Sequence, residues 1–174
     1  MLPFPPMIKY LTDPEFNAVK ALLARFADRY DRDTLILELL LHTGARGQEL
    51  LNLRFQDLNP LNHSVYIRGL KGSSDRELPL PRVLFDRLML YGSSGRDILF
   101  PISMRRLQQI WHEYRPVRKG LHSLRHTFAI RLFRSSRDVF MVQRALGHKS
   151  LQTTLIYQQY AYSFDEMRTA LLSL

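Results

Sequence analysis

The stretch LGHKSLQTTLIYQQY, Leu146 to Tyr160, places His148 nine residues before Tyr157, and two more tyrosines, Tyr160 and Tyr162, follow closely. A tyrosine hydroxyl has a pKa of about 10, so at neutral pH it attacks nothing unless other groups activate it and hold its target. Three further stretches carry residues able to do so. In TGARGQEL, Thr43 to Leu50, Arg46 lies in the turn between two helical patterns, with Glu49 three residues on. In LKGSSD, Lys71 stands in turn material. In HSLRHTFA, His122 and Arg125 are three apart and share a helix face, and His126 lies four past His122. A guanidinium fork donates two parallel hydrogen bonds and suits phosphate. Each stretch alone has a simpler reading: Arg46 as a surface arginine paired with Glu49, Lys71 as an exposed lysine, His126 as a buttress of the core. The spacing of His122 and His126 also invites a zinc hydrolase reading completed by His148, but the glutamate of H-E-x-x-H and a clear third ligand are lacking.

The elements that must position these residues follow from periodicity and caps. Thr12-Asp13-Pro14-Glu15 is a capping box that opens a helix to about Ala27, and a second helix spans about Arg32 to His42. A short third runs over Gly47–Leu53, after the turn at Thr43-Gly44. Residues 64–68 alternate like a strand, 71–75 are turn-forming, and 76–80 return as a strand, one β-hairpin with Lys71 at its tip. Helices are expected at roughly 82–91, 103–114, 122–134, 138–146, 151–159 and 163–172. Asp138 caps the helix that Gly147 ends, so His148 falls on a turn. On a helix over 151–159, Leu151 and Leu155 form an apolar seam. Tyr157 then points away from it, Tyr160 lies on nearly the same side as Tyr157, and Tyr162 returns to the packed face. The expected fold is one mainly α domain with a small antiparallel β-sheet.

The chain has 174 residues and 45% hydrophobic side chains, enough for one domain with a core. It has no cysteine, which excludes disulfides and thiol nucleophiles, and no apolar run long enough to span a bilayer. Residues 1–87 hold 12 basic and 11 acidic side chains, whereas residues 88–174 hold 13 and 5. Between Arg96 and Lys149, 12 basic residues face only three acids. Such a surplus attracts polyanions, and a membrane surface is the weaker alternative because no basic amphipathic helix with a broad apolar face stands out. Arg105 and Arg106 open a helix whose other side carries Leu107, Ile110, Trp111 and Tyr114, and Arg115, Arg118 and Lys119 follow in a basic loop. These five are read as contacts to DNA phosphates.

TGARGQEL, a lysine on a β-turn, HSLRHTFA and LGHKSLQTTLIY, in that order, resemble the catalytic domain of the tyrosine recombinases, the phage integrase family, from about residue 9 to the end. The resemblance implies that Arg46 and Arg125 clamp the phosphate, that Lys71 is the hairpin lysine, and that His122, His148 and the nucleophile Tyr157 complete a catalytic set supported by Glu49. Phe55 stands where other members often carry tryptophan. With those roles, the arginines and His148 stabilise charge on the non-bridging oxygens, His122 accepts or positions the tyrosine proton, and Lys71 protonates the leaving 5′ oxygen. No metal, cofactor or ATP is expected. Residues 1–8 read as a leader before a catalytic domain over 9–174. The N-terminal helical domain usual in the family is expected to be missing, either by trimming or because this is a short member like the fimbrial-switch invertases. The implied partner is double-stranded DNA, with self-association to a tetramer on it, in the cytoplasm of a prokaryotic host or mobile element. Three rivals remain: a type IB topoisomerase-like enzyme that relaxes supercoils, a DNA-binding regulator that kept the fold, and the zinc hydrolase.

Overall fold

The computed structural model describes residues 9–26, 32–70, 72–93, 95, 97–160, 162 and 164–173. The leader 1–8 and Lys71 lie outside the described residues. The helices are α1 (Asp13–Arg25), α2 (Arg32–Thr43), α3 (Gly47–Leu51), α4 (Arg82–Gly92), α5 (Met104–Tyr114), α6 (His122–Ser136), α7 (Val139–Leu146), α8 (Gln152–Leu155) and α9 (Phe164–Leu172). The strands are β1 (Leu58–Asn59), β2 (Ser64–Ile67) and β3 (Arg76–Pro79), antiparallel in the order β1-β2-β3. The hairpin register pairs Ser64 with Pro79 and Ile67 with Arg76. β1 adds a strand to the expected hairpin by pairing Leu58 with Val65; two residues are too short to display a period of two.

α2 is the central element. Leu35, Ile36, Leu37, Leu39 and Leu40 are all buried, and a helix apolar on every side must be enclosed. α4 and α6 pack against it. α1 begins as its capping box dictates, with the Thr12 amide donating to Glu15 Oε2 at 2.7 Å. The main core continues through Phe100, Leu107, Ile110, Trp111 and Leu124. A second cluster joins α6 and α7 through Ala129, Ile130, Phe133, Val142 and Leu146, and includes Tyr157. Asp138 caps α7 as expected, its Oδ1 accepting from the amides of Phe140 and Met141. Among the described helices none is long and apolar enough to cross a membrane.

Candidate active site

Glu49 is the hub of the site. It is buried on α3, and its carboxylate accepts from the Arg46 amide at 2.9 Å, Arg46 Nη1 at 3.1 Å, Ser73 Oγ at 2.6 Å and Arg76 Nη2 at 2.7 Å. Arg125 Nη1 stands 3.9 Å away. Burial alone would raise its pKa, but the donors from Arg76, Ser73 and the Arg46 backbone override that and hold it at about 2. Arg46 is therefore oriented by the carboxylate three residues ahead, while its side chain stays partly open to solvent.

Arg125 is buried on the first turn of α6 and donates to two backbone oxygens, Gly44 O at 2.6 Å and Leu146 O at 2.9 Å. The turn that carries Arg46 and the end of α7 are thereby tied to one guanidinium. Burial, then the nearby Arg46, lowers its pKa to about 10, so it stays cationic at neutral pH. Gly147 ends α7 in the left-handed region, φ +68°. His148 follows on the turn, its Nδ1 2.9 Å from Thr154 Oγ1. Its pKa falls to about 4 through burial and the positive field of Arg125, Arg46 and Arg76. Ser73, in the hairpin turn, forms a β-bridge with His148, and the Ser74 amide donates to Gly147 O at 2.8 Å, so the base of the Lys71 hairpin is stitched to the histidine turn.

His122 opens α6 and is exposed, its ring edge-on to His126 with centroids 4.7 Å apart. Partial enclosure, followed by Arg125 and Arg46, lowers its pKa. A cleft of about 500 Å³ lies between Arg46, Met104, Gln108, Trp111, Arg115, His122 and Arg125. Three guanidinium groups and the His122 imidazole on one cleft can hold a tetrahedral oxyanion.

Tyr157 departs from the helical-wheel expectation. α8 ends at Leu155, the Tyr157 amide bonds back to Thr154 O, and a 3₁₀ turn follows over Gln158–Tyr160. The step of 100° per residue therefore stops before Tyr157. Leu155 (39% exposed) and Ile156 face outward, Tyr157 (3%) packs into the α6–α7 cluster, and Tyr162 is 62% exposed. Tyr160 is half-buried edge-on to Tyr10, with ring centroids 5.1 Å apart. The Tyr157 hydroxyl lies 3.1 Å from His126 Nδ1, which makes His126 more than a core buttress. Burial raises the phenol pKa, against the pull of Arg125 and Arg46. His126 is lowered to about 4 by burial and by His122. Among the described residues, no three His, Cys, Asp or Glu side chains come together as a metal site, so His122, His126 and His148 are not grouped as zinc ligands.

Residues 14–163 match the phage integrase family. The chain belongs to that family. The tyrosine recombinase XerA of Pyrococcus furiosus is 34% identical over 164 residues, which are 86% of this chain and 56% of that protein. A crystal structure of XerA recombinase shares the fold at a TM-score of 0.77 and 24% identity, covering 99% of this chain and 66% of its own. The XerH site-specific recombinase, solved in a pre-cleavage complex with its difH substrate, matches at a TM-score of 0.70 and 26% identity, over 87% of this chain and 50% of its own. The chain spans about half the length of the curated relatives it matches.

Against the family's fold, the basic residues read as DNA contacts divide into two kinds. Arg105 and Arg118 are exposed, and Arg115 lines the cleft. Arg106 is instead paired internally, with Asp33 at 2.8 Å and Glu113 at 3.0 Å. Lys119 is turned inward, onto Glu15 at 2.5 Å and Tyr10 O at 2.7 Å. In both, a carboxylate of the chain already meets the charge that the sequence assigns to phosphate. Sequence reasoning also passed over Arg76, although the strand alternation sets it on the same face as Leu78, a core register where an arginine is out of place.

Proposed function

We propose that this chain carries the strand-cleaving and rejoining chemistry of a site-specific DNA recombinase. One observation supports the reading above all. Arg46, Arg125 and His148, drawn from three separate stretches of sequence, converge around the single carboxylate of Glu49. The two guanidinium groups grip the non-bridging oxygens of the scissile phosphate. His148 Nδ1 lies 2.9 Å from the Thr154 hydroxyl; with that hydroxyl as the donor, Nε2 carries the proton and donates to phosphate. Tyr157 attacks the phosphorus, a Tyr157 Oη–P bond forms and the P–O5′ bond breaks. The phenolic proton passes to a histidine of the His122–His126 pair, and Lys71 protonates the departing 5′ oxygen. The products are a 3′-phosphotyrosine and a free 5′ hydroxyl, and reversal on another strand completes exchange. The substrate is double-stranded DNA, with several protomers assembled on it. Tyr157 starts from a buried position, its hydroxyl 3.1 Å from His126 Nδ1.

A suicide duplex with a nick near the scissile phosphate tests this. The wild-type chain should trap a covalent adduct, Tyr157→Phe should abolish it with DNA binding intact, and Tyr160→Phe should not. Peptide mapping that placed the link on Tyr160 would overturn the assignment. Absence of any adduct would favour a DNA-binding regulator.

A further inference from the structure

Arg76 is 5% exposed, at the start of β3, and its guanidinium makes three donations. Nη2 meets Glu49 Oε2 at 2.7 Å, Nε meets Ala145 O at 2.8 Å, and Nη1 reaches Ser74 O at 3.5 Å. These partners lie on α3, at the end of α7 and in the hairpin turn; the first two adjoin Arg46 and His148. Arg76 does not itself line the cleft. A buried ion pair is a weak source of stability, and apolar residues of similar volume often serve as well or better. What a planar fork supplies that an apolar residue cannot is a fixed geometry among several acceptors. Gly147 lies so close that a Cβ there would stand 3.0 Å from Arg76 Nη1.

We propose that Arg76 is a positioning residue for strand cleavage: it locks the Glu49 carboxylate and the turn before His148 into one unit, and so sets where Arg46 and His148 meet the phosphate. The proposal rests on the recombinase reading and deepens it. Misplacing catalytic groups by about 1 Å costs on the order of a hundredfold in rate. Arg76→Gln in the full chain should therefore slow single-turnover adduct formation at saturating suicide duplex by about that factor, with DNA affinity unchanged.

The pH profile separates positioning from mere support. Glu49 is faced by Arg46 from the turn before α3, Ser73 from the hairpin, Arg76 from β3 and Arg125 from α6, with His148 nearby. Loss of the Arg76 donor should move the acid edge of the rate profile upward. In a Glu49→Gln background, Arg76→Gln should move nothing further. Arg76→Lys keeps a charge beside Glu49 but cannot hold Ala145 as well; it should give an intermediate rate with the edge in place. If Arg76→Gln melts below the assay temperature, Arg76→Lys carries the test, and a wild-type rate for it overturns the role. Equally, Arg76→Gln cleaving at wild-type rate, or slowed alike with and without Glu49 and with an unmoved edge, overturns it. A wild-type chain that forms no adduct overturns the recombinase reading itself.

Discussion

Arg46 and Arg125 carry the same charge but are held differently, and their substitutions should separate on that account. Arg46 leans on Glu49 from a partly solvated position. Its replacement by alanine should cost little stability, while cleavage falls at least about a hundredfold for want of one charged clamp group. Arg125 also satisfies Gly44 O and Leu146 O from a buried position. Arg125→Ala should lose cleavage and, in addition, about 2–4 kcal/mol of stability, because two carbonyls and the Glu49 charge lose a donor or partner. Urea melts beside single-turnover cleavage measure both quantities. Equal stabilities for the two variants would contradict this account of Arg125. Lys71, assigned from its place on the hairpin, has its own check. Lys71→Ala should slow cleavage of a normal strand and recover on a 5′-phosphorothiolate, whose sulfur leaves without a proton; no recovery would remove it as the acid.

The elements that deliver these residues show how far a sequence can be read locally. The turn after α7 is the legible case: Asp138 caps, Gly147 stops, and His148 follows. The same glycine yields a prediction. Its φ is +68°, and a Cβ would stand 2.6 Å from Ser74 O, so Gly147→Ala should cost more than about 1 kcal/mol and slow cleavage together. A melting curve and adduct rate matching wild type would refute the close packing of the hairpin on that turn. The segment after α8 was illegible for the converse reason. Four helical residues are too few for a wheel to hold, and the burial of Tyr157 is decided by a cluster on α6 and α7 distant in sequence. Arg76, Arg106 and Lys119 share that lesson. An arginine or lysine displays its charge in the sequence, but only the fold shows whether a carboxylate such as Glu49, Asp33 or Glu15 has already met it.

At the scale of the whole molecule, burial and then the positive charge around the site make the fold acid-sensitive. His126 and His148 are held at about 4 in the folded chain, against about 6.5 for an unhindered histidine. The unfolded chain therefore binds protons between those values that the folded chain does not, and stability should fall as pH drops from about 6.5 to about 4. Glu49 continues the trend, ionised in the fold down to about 2 while its unfolded form protonates near 4.5. Denaturant midpoints across that range should decline steadily, less so in His148→Gln; a flat profile would mean these histidines are not held neutral by burial. Under the recombinase reading, affinity for DNA should draw on the positive charges of this half of the chain, but not on all of them. Of the 12 basic residues from Arg96 to Lys149, Arg106, Arg115, Lys119, Arg125, Arg131, Arg134 and Arg137 already have acceptors inside the chain. Each phosphate neutralised steepens the fall of log affinity with log salt by about 0.9. Titration of duplex binding between about 50 and about 200 mM salt should thus show a steep loss if about six phosphates are met. Removing exposed Arg105 or Arg118 should shallow the slope by about 1 each. Arg106→Gln should leave the slope nearly unchanged and instead lower stability, since one ion pair to Asp33 and one to Glu113 are lost. A slope that responds to Arg106 as strongly as to Arg105 would show that DNA pulls Arg106 out of its ion pairs. A wild-type response flat in salt would remove nucleic acid as the partner.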